Sequence, residues 1–480
     1  MMRHLFIKKN IRLLIKAYFF FAFISAIAPF TPFVSNNYKK EQFSSEQCSS
    51  KVCFGEHATS GGDRARVVAN SEQALNIRLE LIRSAEKSID IVYYSIERSE
   101  CIDALLGELL EAADRGVKVQ ILVDGKKNLS SKPALKALNT HENISCRQYN
   151  PLNLFTPWKW NACLHDKFIT VDGNHLLLGG RNLKEEHYAP DGFTGKLTND
   201  LDVLVSKGDV CDSGEQGALP QVSKYMELLW DSKGVKPISN SPMRTRKADT
   251  YLKKLRNAAC SFEKTNPRFY TNSLQDYLEE TFPASSIKLI HNPIHTNKKQ
   301  ATVYNYLNKL MQGAREEVVI QTPYATANKT LLSDFDTVNA KLIMQTNSPL
   351  STPNYPAFSN YYYQRDKFLD TGAKIYEYQG RDSHHGKSLI IDKQTAVIGS
   401  FNFDDRSMYI NTESMLVIDS FGLANQLGAL LEELRQDSLQ VASDNTYLPK
   451  ESISIHDVPF LKIFMLRITY IFLRPFQFLI

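Results

Sequence analysis

A strong charge imbalance is missing from this sequence. Its 480 residues carry 57 Lys and Arg against 52 Asp and Glu, a net charge of +5. That falls short of the dense basic surface of a nucleic-acid-binding chain and leaves an anionic substrate or a membrane surface open. A cysteine framework is missing as well. The seven cysteines, at 48, 53, 101, 146, 163, 211 and 260, are odd in number and scattered, so neither a disulfide scaffold nor a zinc-ligand spacing can be read and buried thiols are expected. Cys48 and Cys53 form a pair only if their segment faces an oxidising compartment. What is present, 43% hydrophobic and 11% aromatic residues, is enough for a large core in two to four domain-sized units.

The ends are distinctive. Arg3, Lys8, Lys9, Arg12 and Lys16 precede an uncharged stretch from Ala17 to Tyr38. This is a basic region followed by an apolar one, the pattern of an anchor or signal segment. The only Ala-x-Ala site, Ala26 to Ala28, is followed by Pro29, which favours an uncleaved anchor; the positive-inside rule then places the N-terminus in the cytoplasm and the folded body outside it. At the other end, VPFLKIFMLRITYIFLRPFQFLI spreads Lys462, Arg467 and Arg474 among bulky apolar residues. Three cations suit a helix lying in the headgroup region better than one crossing a bilayer.

Between the ends the chain is duplicated. An alternating helix and strand pattern at 71–123 returns at 300–346 and continues into KIYEY at 374–378. His165 and His385, Lys167 and Lys387, Asp172 and Asp392, and Asn182 and Asn402 are each separated by 220 positions. The expected layout is an anchor or signal segment over 1–40, a linker over 41–65, a first α/β domain over 66–230, a basic helical linker over 231–285, a second α/β domain over 286–442, and a membrane-associating segment over 443–480.

The motifs LHDKFITVD and HHGKSLIID are β-branched and apolar after the His, so each predicts a strand on which His and Lys project together. Asp172 and Asp392 fall on the opposite parity, more than about 20 Å along the strand from their own His. They cannot orient it, and they read as turn-anchoring residues of a hairpin. The return strands bring Gly179-Gly180-Arg181-Asn182 and Gly399-Ser400-Phe401-Asn402 beside the histidines, where Gly180 and Ser400 are expected to line a phosphate and the asparagines to hydrogen-bond it. The acids opening the next apolar runs, Asp202 in NDLDVLV and Glu413 in NTESMLVI, are the candidates to fix the His tautomers. His384, next to His385, should face away. A zinc site from His165, His384 and His385 lacks the usual spacing.

Two His, two Lys and two Asn supply what a phosphodiester needs: a nucleophile, a proton donor for the leaving alkoxide, and cations for the phosphoryl charge. That list requires neither metal nor cofactor. The paired motifs resemble the phospholipase D superfamily, and GGRN with NDLDVLV, and GSFNFDDRSMYINTESMLVI, resemble its bacterial cardiolipin synthase branch. The resemblance covers roughly residues 66–440. It implies two tandem α/β/α domains with mixed sheets sharing one active site, a phosphatidyl-histidine intermediate with His165 as nucleophile, no required metal, and a phospholipid substrate at a membrane. KWNACLHDK, before the first motif, lacks the arginines expected in cardiolipin synthases, so the acceptor, an alcohol or water, stays open. A nuclease of the same superfamily, with Trp158 and Trp160 stacking bases, is the alternative that the modest charge and the apolar ends disfavour.

Overall fold

The computed structural model describes residues 2–34, 62–208, 217–239, 241, 243–453 and 457–480. Cys48, Cys53 and most of the expected linker 41–65 lie outside the described residues. Two mixed sheets repeat one topology. In the first, the strand order is Phe282–Pro283, Arg64–Val68, Asp202–Ser206, His175–Gly179, Lys167–Val171, Ser88–Tyr93, Lys118–Asp124, Ile144–Tyr149 and Val235–Pro237. In the second it is Ser286–His291, Ser414–Asp419, Thr395–Gly399, Ser388–Ile391, Glu317–Gln321, Lys341–Asn347, Lys374–Tyr378 and Ser438–Gln440. Apart from the extra edge strand Phe282–Pro283, the two series correspond strand for strand. In each, three parallel strands joined through helices continue into an antiparallel hairpin.

Strand alternation decides what lies between the sheets. Ala65, Val67, Phe168, Leu176, Leu178, Val203 and Val205 of the first sheet share a buried cluster with Ile287, Leu289, Ile390, Ala396, Ile398, Leu416 and Ile418 of the second. Their neighbours of opposite parity, such as Val68, Ile169, Leu177 and Leu204, face the helices Ser71–Ser84 and Glu100–Asp114 on the outer side. Helices are also exchanged across the boundary. Gln426, on the helix Phe421–Gln436, accepts from the Val67 amide at 2.7 Å, and Gln221, on the helix Ala218–Trp230, accepts from the Leu289 amide at 2.9 Å.

The segment 231–285, expected as a linker, is built into the first half. Val235–Pro237 and Phe282–Pro283 pair at opposite edges of the first sheet. The helix Thr245–Thr265 buries Leu255 and Phe262 in the first-half core. The helix Ser71–Ser84 is capped by Asn70, whose side chain accepts from the Gln73 amide at 3.0 Å. Cys101, Cys146 and Cys163 are buried as expected, whereas Cys260 is exposed. One helix among the described residues, Asn10–Phe30, is long and apolar enough to cross a membrane. The C-terminal helix Phe460–Leu473 docks on the second half through Leu466, which is fully buried.

Candidate active site

Each hairpin is held from behind by its motif aspartate. Asp172, at φ 54°, accepts from the amides of Glu86, Lys87 and Ser88 at 2.9, 2.8 and 2.7 Å. Asp392, at φ 50°, accepts from those of Arg315, Glu316 and Glu317 at 2.9, 2.8 and 3.1 Å. Burial works against the Asp172 charge, but the three amides outweigh it and hold the carboxyl below its usual value. Both side chains therefore fix where a hairpin turn meets the start of the neighbouring strand, remote from the histidines.

The segments that carry the histidines pair with the opposite half. The His165 amide donates to Thr412 at both its carbonyl (3.2 Å) and its hydroxyl (3.1 Å), and the Thr412 amide donates to the Cys163 carbonyl at 3.0 Å. Symmetrically, Ser383–His384 runs parallel to Thr198–Asn199, and the His385 amide donates to the Asn199 carbonyl at 2.6 Å. These short ladders set a reciprocal exchange. His165 Nδ1 donates to Glu413 Oε2 at 2.9 Å, and His385 Nδ1 donates to Asp200 Oδ2 at 2.6 Å. Both motif imidazoles, His165 and His385, are oriented by a carboxylate from the other half.

Asp202 is therefore not the partner of a histidine. It lies fully buried between Arg78 and Arg181, at 2.8 and 3.0 Å. The reason is register. Gly179 stands opposite Asp202 and Gly399 opposite Met415, so the counterpart of Glu413 is Asp200. Alternation along the strand cannot separate two acids of the same parity. Aligning the apolar runs Val203-Leu204-Val205 and Leu416-Val417-Ile418 would have done so.

Gly180 and Ser400 also differ from expectation. Their amides are spent on the carbonyls of Leu201 and Ser414, both at 2.9 Å, and neither is free to meet a phosphate. They act on the acids instead. A Cβ on Gly180 would lie 2.1 Å from Asp200 Oδ1, while the fully buried Ser400 hydroxyl donates to Glu413 at 2.5 Å. Asn182 and Asn402 are buried at the same level, each with an amide oxygen that has no partner among the described residues. His384 turns toward Tyr378, ring to ring at 4.3 Å.

Lys167 and Lys387 are almost fully buried, and each ammonium donates to the carbonyl of its own motif His. Burial pushes Lys167 down to about 7 against the opposing pull of Glu413, and Lys387 down to about 8 against that of Asp200. Burial, then Lys167 and Lys387, drives His165 well below its ordinary value. His385 falls to about 4 through burial and Lys387, resisted by Asp200. The acids diverge. Burial raises Glu413 to about 7, only partly offset by Lys167, whereas Lys387 and His385 overcome burial at Asp200 and hold it well below the usual carboxylate range.

Sequence reasoning missed Asp200 and two aromatic neighbours. His187 is buried, with Nδ1 3.8 Å from Asp200 and its ring 5.9 Å from that of His385. It belongs to the loop KEEHYAP, which carries no motif. Tyr94 packs edge-on against His165 at 4.9 Å, with Lys167 5.3 Å from its ring centre.

Two α/β halves that lend each other an acid around paired His-x-Lys segments define a duplicated phospholipase D-like protein. The family described as "Cardiolipin synthase, PLD-like domain" matches residues 79–210 and 307–435, and the chain belongs to it. The chain is 27% identical over 398 residues to cardiolipin synthase C of Escherichia coli, covering 74% of this chain and 81% of that one. It is 28% identical over 404 residues to an uncharacterized protein of Helicobacter pylori, covering 76% and 78%. Its fold is similar to that of phosphatidylserine synthase from Haemophilus influenzae, with a TM-score of 0.60 at 16% identity over 87% of this chain and 95% of that one.

Proposed function

We propose that the protein is a membrane-associated phosphatidyltransferase that cleaves a phospholipid phosphodiester through a phosphohistidine intermediate. The observation that carries the reading is the reciprocal His165–Glu413 and His385–Asp200 pairing around two buried lysines. With Nδ1–H committed to a carboxylate, each imidazole keeps its Nε2 lone pair for chemistry. His165, whose neutral form burial favours strongly, attacks phosphorus. The P–O bond to the leaving alcohol breaks as the P–N bond forms, and His385, its imidazolium stabilised by the ionised Asp200, gives that alcohol a proton. An acceptor alcohol then loses its proton to His385 and attacks the same phosphorus, releasing His165. Lys167 and Lys387 neutralise the charge on the non-bridging oxygens, together with the amides of Asn182 and Asn402.

Full-length protein is mixed with vesicles of phosphatidylglycerol and phosphatidylethanolamine labelled at the lipid phosphate. Cardiolipin should accumulate, and acid quenching should leave label on the chain that is lost in His165→Ala. Phosphatidic acid as the sole product would make water the acceptor and the protein a hydrolase. No turnover of either lipid by the wild type would sink the reading.

A further inference from the structure

Three stretches distant in sequence meet at one apolar face. The loop Leu152–Trp160 runs along the N-terminal helix: the Tyr18 hydroxyl donates to the Leu154 carbonyl, and Asn161 Nδ2 donates to the Ala26 carbonyl at 2.7 Å. The C-terminal turn Arg474–Leu479 joins them, with Phe476 edge-on to Phe23 at 6.2 Å. Arg406 ties the group to the site, donating to the Asn161 carbonyl at 2.6 Å, to Cys163 Sγ at 3.3 Å and to the Leu479 carbonyl at 3.1 Å. The loop ends five residues before His165.

This face is exposed where a soluble surface would be polar. Phe155 is 85% exposed and Leu152 and Leu154 more than half, with Trp158 partly so. Single exposed apolar residues are ordinary, but a run of them beside two further apolar segments marks an interaction surface. The N-terminal helix says what covers it. Its 21 apolar-rich residues from Asn10 to Phe30 are about 31 Å long, the thickness of a bilayer's hydrocarbon. The chain touches it at Tyr18 through Leu154 of the loop and at Ala26 through Asn161, the residue that follows the loop, contacts eight residues or about 12 Å apart along the axis. A loop that accompanies a spanning helix for that distance cannot stay in water while the helix is in lipid.

We infer that Leu152–Trp158 is a wedge that enters the leaflet beside the N-terminal helix, so that the approach to His165 opens onto acyl chains rather than solvent. The wedge rests on the functional reading above only for its purpose, delivery of a diacyl substrate, and not for its existence. Trp158 and Trp160 then sit at the boundary where indole rings prefer to lie, and Lys159 between them faces lipid phosphates.

The test reconstitutes the full chain in phosphatidylglycerol–phosphatidylethanolamine vesicles doped with lipids brominated on the acyl chain. Bromine should quench the tryptophan emission, and Trp158→Phe should remove at least half of the quenched component. A quenched component unchanged by Trp158→Phe overturns the wedge. So does Trp158 that bromine does not reach in protein that cross-links as a dimer, since the face would then be an interface between two copies. In a second arm, Phe155→Asp should lower turnover of vesicle lipid at least ten-fold while leaving turnover of a monomeric short-chain phospholipid within two-fold of wild type. Equal losses on both substrates would count against delivery. Wild type inert toward both would defeat the functional reading, with the quenching result still deciding the wedge.

Discussion

Small residues behind the acids do different work in the two halves. Gly180 leaves room for the Asp200 carboxylate, which a Cβ would approach to 2.1 Å; Ser400, at the equivalent position, fills that room and donates to Glu413. Asp200 is buried and bonded to His385, so a methyl there must push the carboxylate off its histidine. A misplacement of that order costs about a hundred-fold in rate. Gly180→Ala should therefore stay folded and lose about two orders of magnitude in kcat on vesicle lipid, whereas Ser400→Ala, which removes the bond to Glu413 and the one its oxygen accepts from the Ser414 amide, should lose about ten-fold. Wild-type kcat in Gly180→Ala, with an unchanged melting temperature, would refute this role. How legible these residues are in the sequence follows from how local their signals are. The shared face of His165 and Lys167 needs only the two-residue period of a strand, and the turn role of Asp172 needs only its parity and the Gly173-Asn174 that follow. Asp200 needs a register between strands, and nothing local reveals that its carboxylate serves the opposite half.

At the scale of the elements, the hairpins are positioned by charge-assisted hydrogen bonds rather than by the catalytic groups. Asp172 and Asp392 each gather three successive amides at the start of the strand beside their hairpin. Asn at either position tolerates the positive φ but lacks the charge. Asp172→Asn and Asp392→Asn should each destabilise by about 1.5–3 kcal/mol, seen as a lower melting temperature with the specific activity of the folded fraction near wild type. Glu413→Gln should do the reverse, folding normally with little turnover. A Glu413→Gln protein that turns over lipid at the wild-type rate would remove the tautomer argument for His165. The helix Thr245–Thr265 shows the opposite limit of local reading. Its cationic run RTRKADTYLKKLR suggests a solvated linker, while the buried stripe Ala248, Leu255, Ala259 and Phe262 recurs at helical spacing and glues it to the first half. Composition hid what periodicity carried.

At the scale of the molecule, the two halves enclose a charge set that titrates as a unit. Two lysines, two histidines, Asp200 and Glu413 are packed out of water at one boundary, so each proton bound or lost is felt by the rest. The lysines, lowered to about 7 and about 8, bind an anionic phosphodiester as cations and lose that charge as pH rises through those values. His385, lowered to about 4, is neutral and competent to accept a proton from the incoming alcohol only above that value. The base role of His385 belongs to the second half-reaction, so the two limbs fall in different constants: kcat for transfer to the acceptor should climb as pH rises through about 4, and kcat/KM should fall as pH rises through about 7 to 8. The alkaline fall should show mainly in KM, since it is substrate charge that the lysines meet. A profile measured on vesicles from pH 4 to 10 decides the matter: activity still rising at pH 9 would mean that the buried lysines keep their protons, and that the cations of this site are not weakened by their burial.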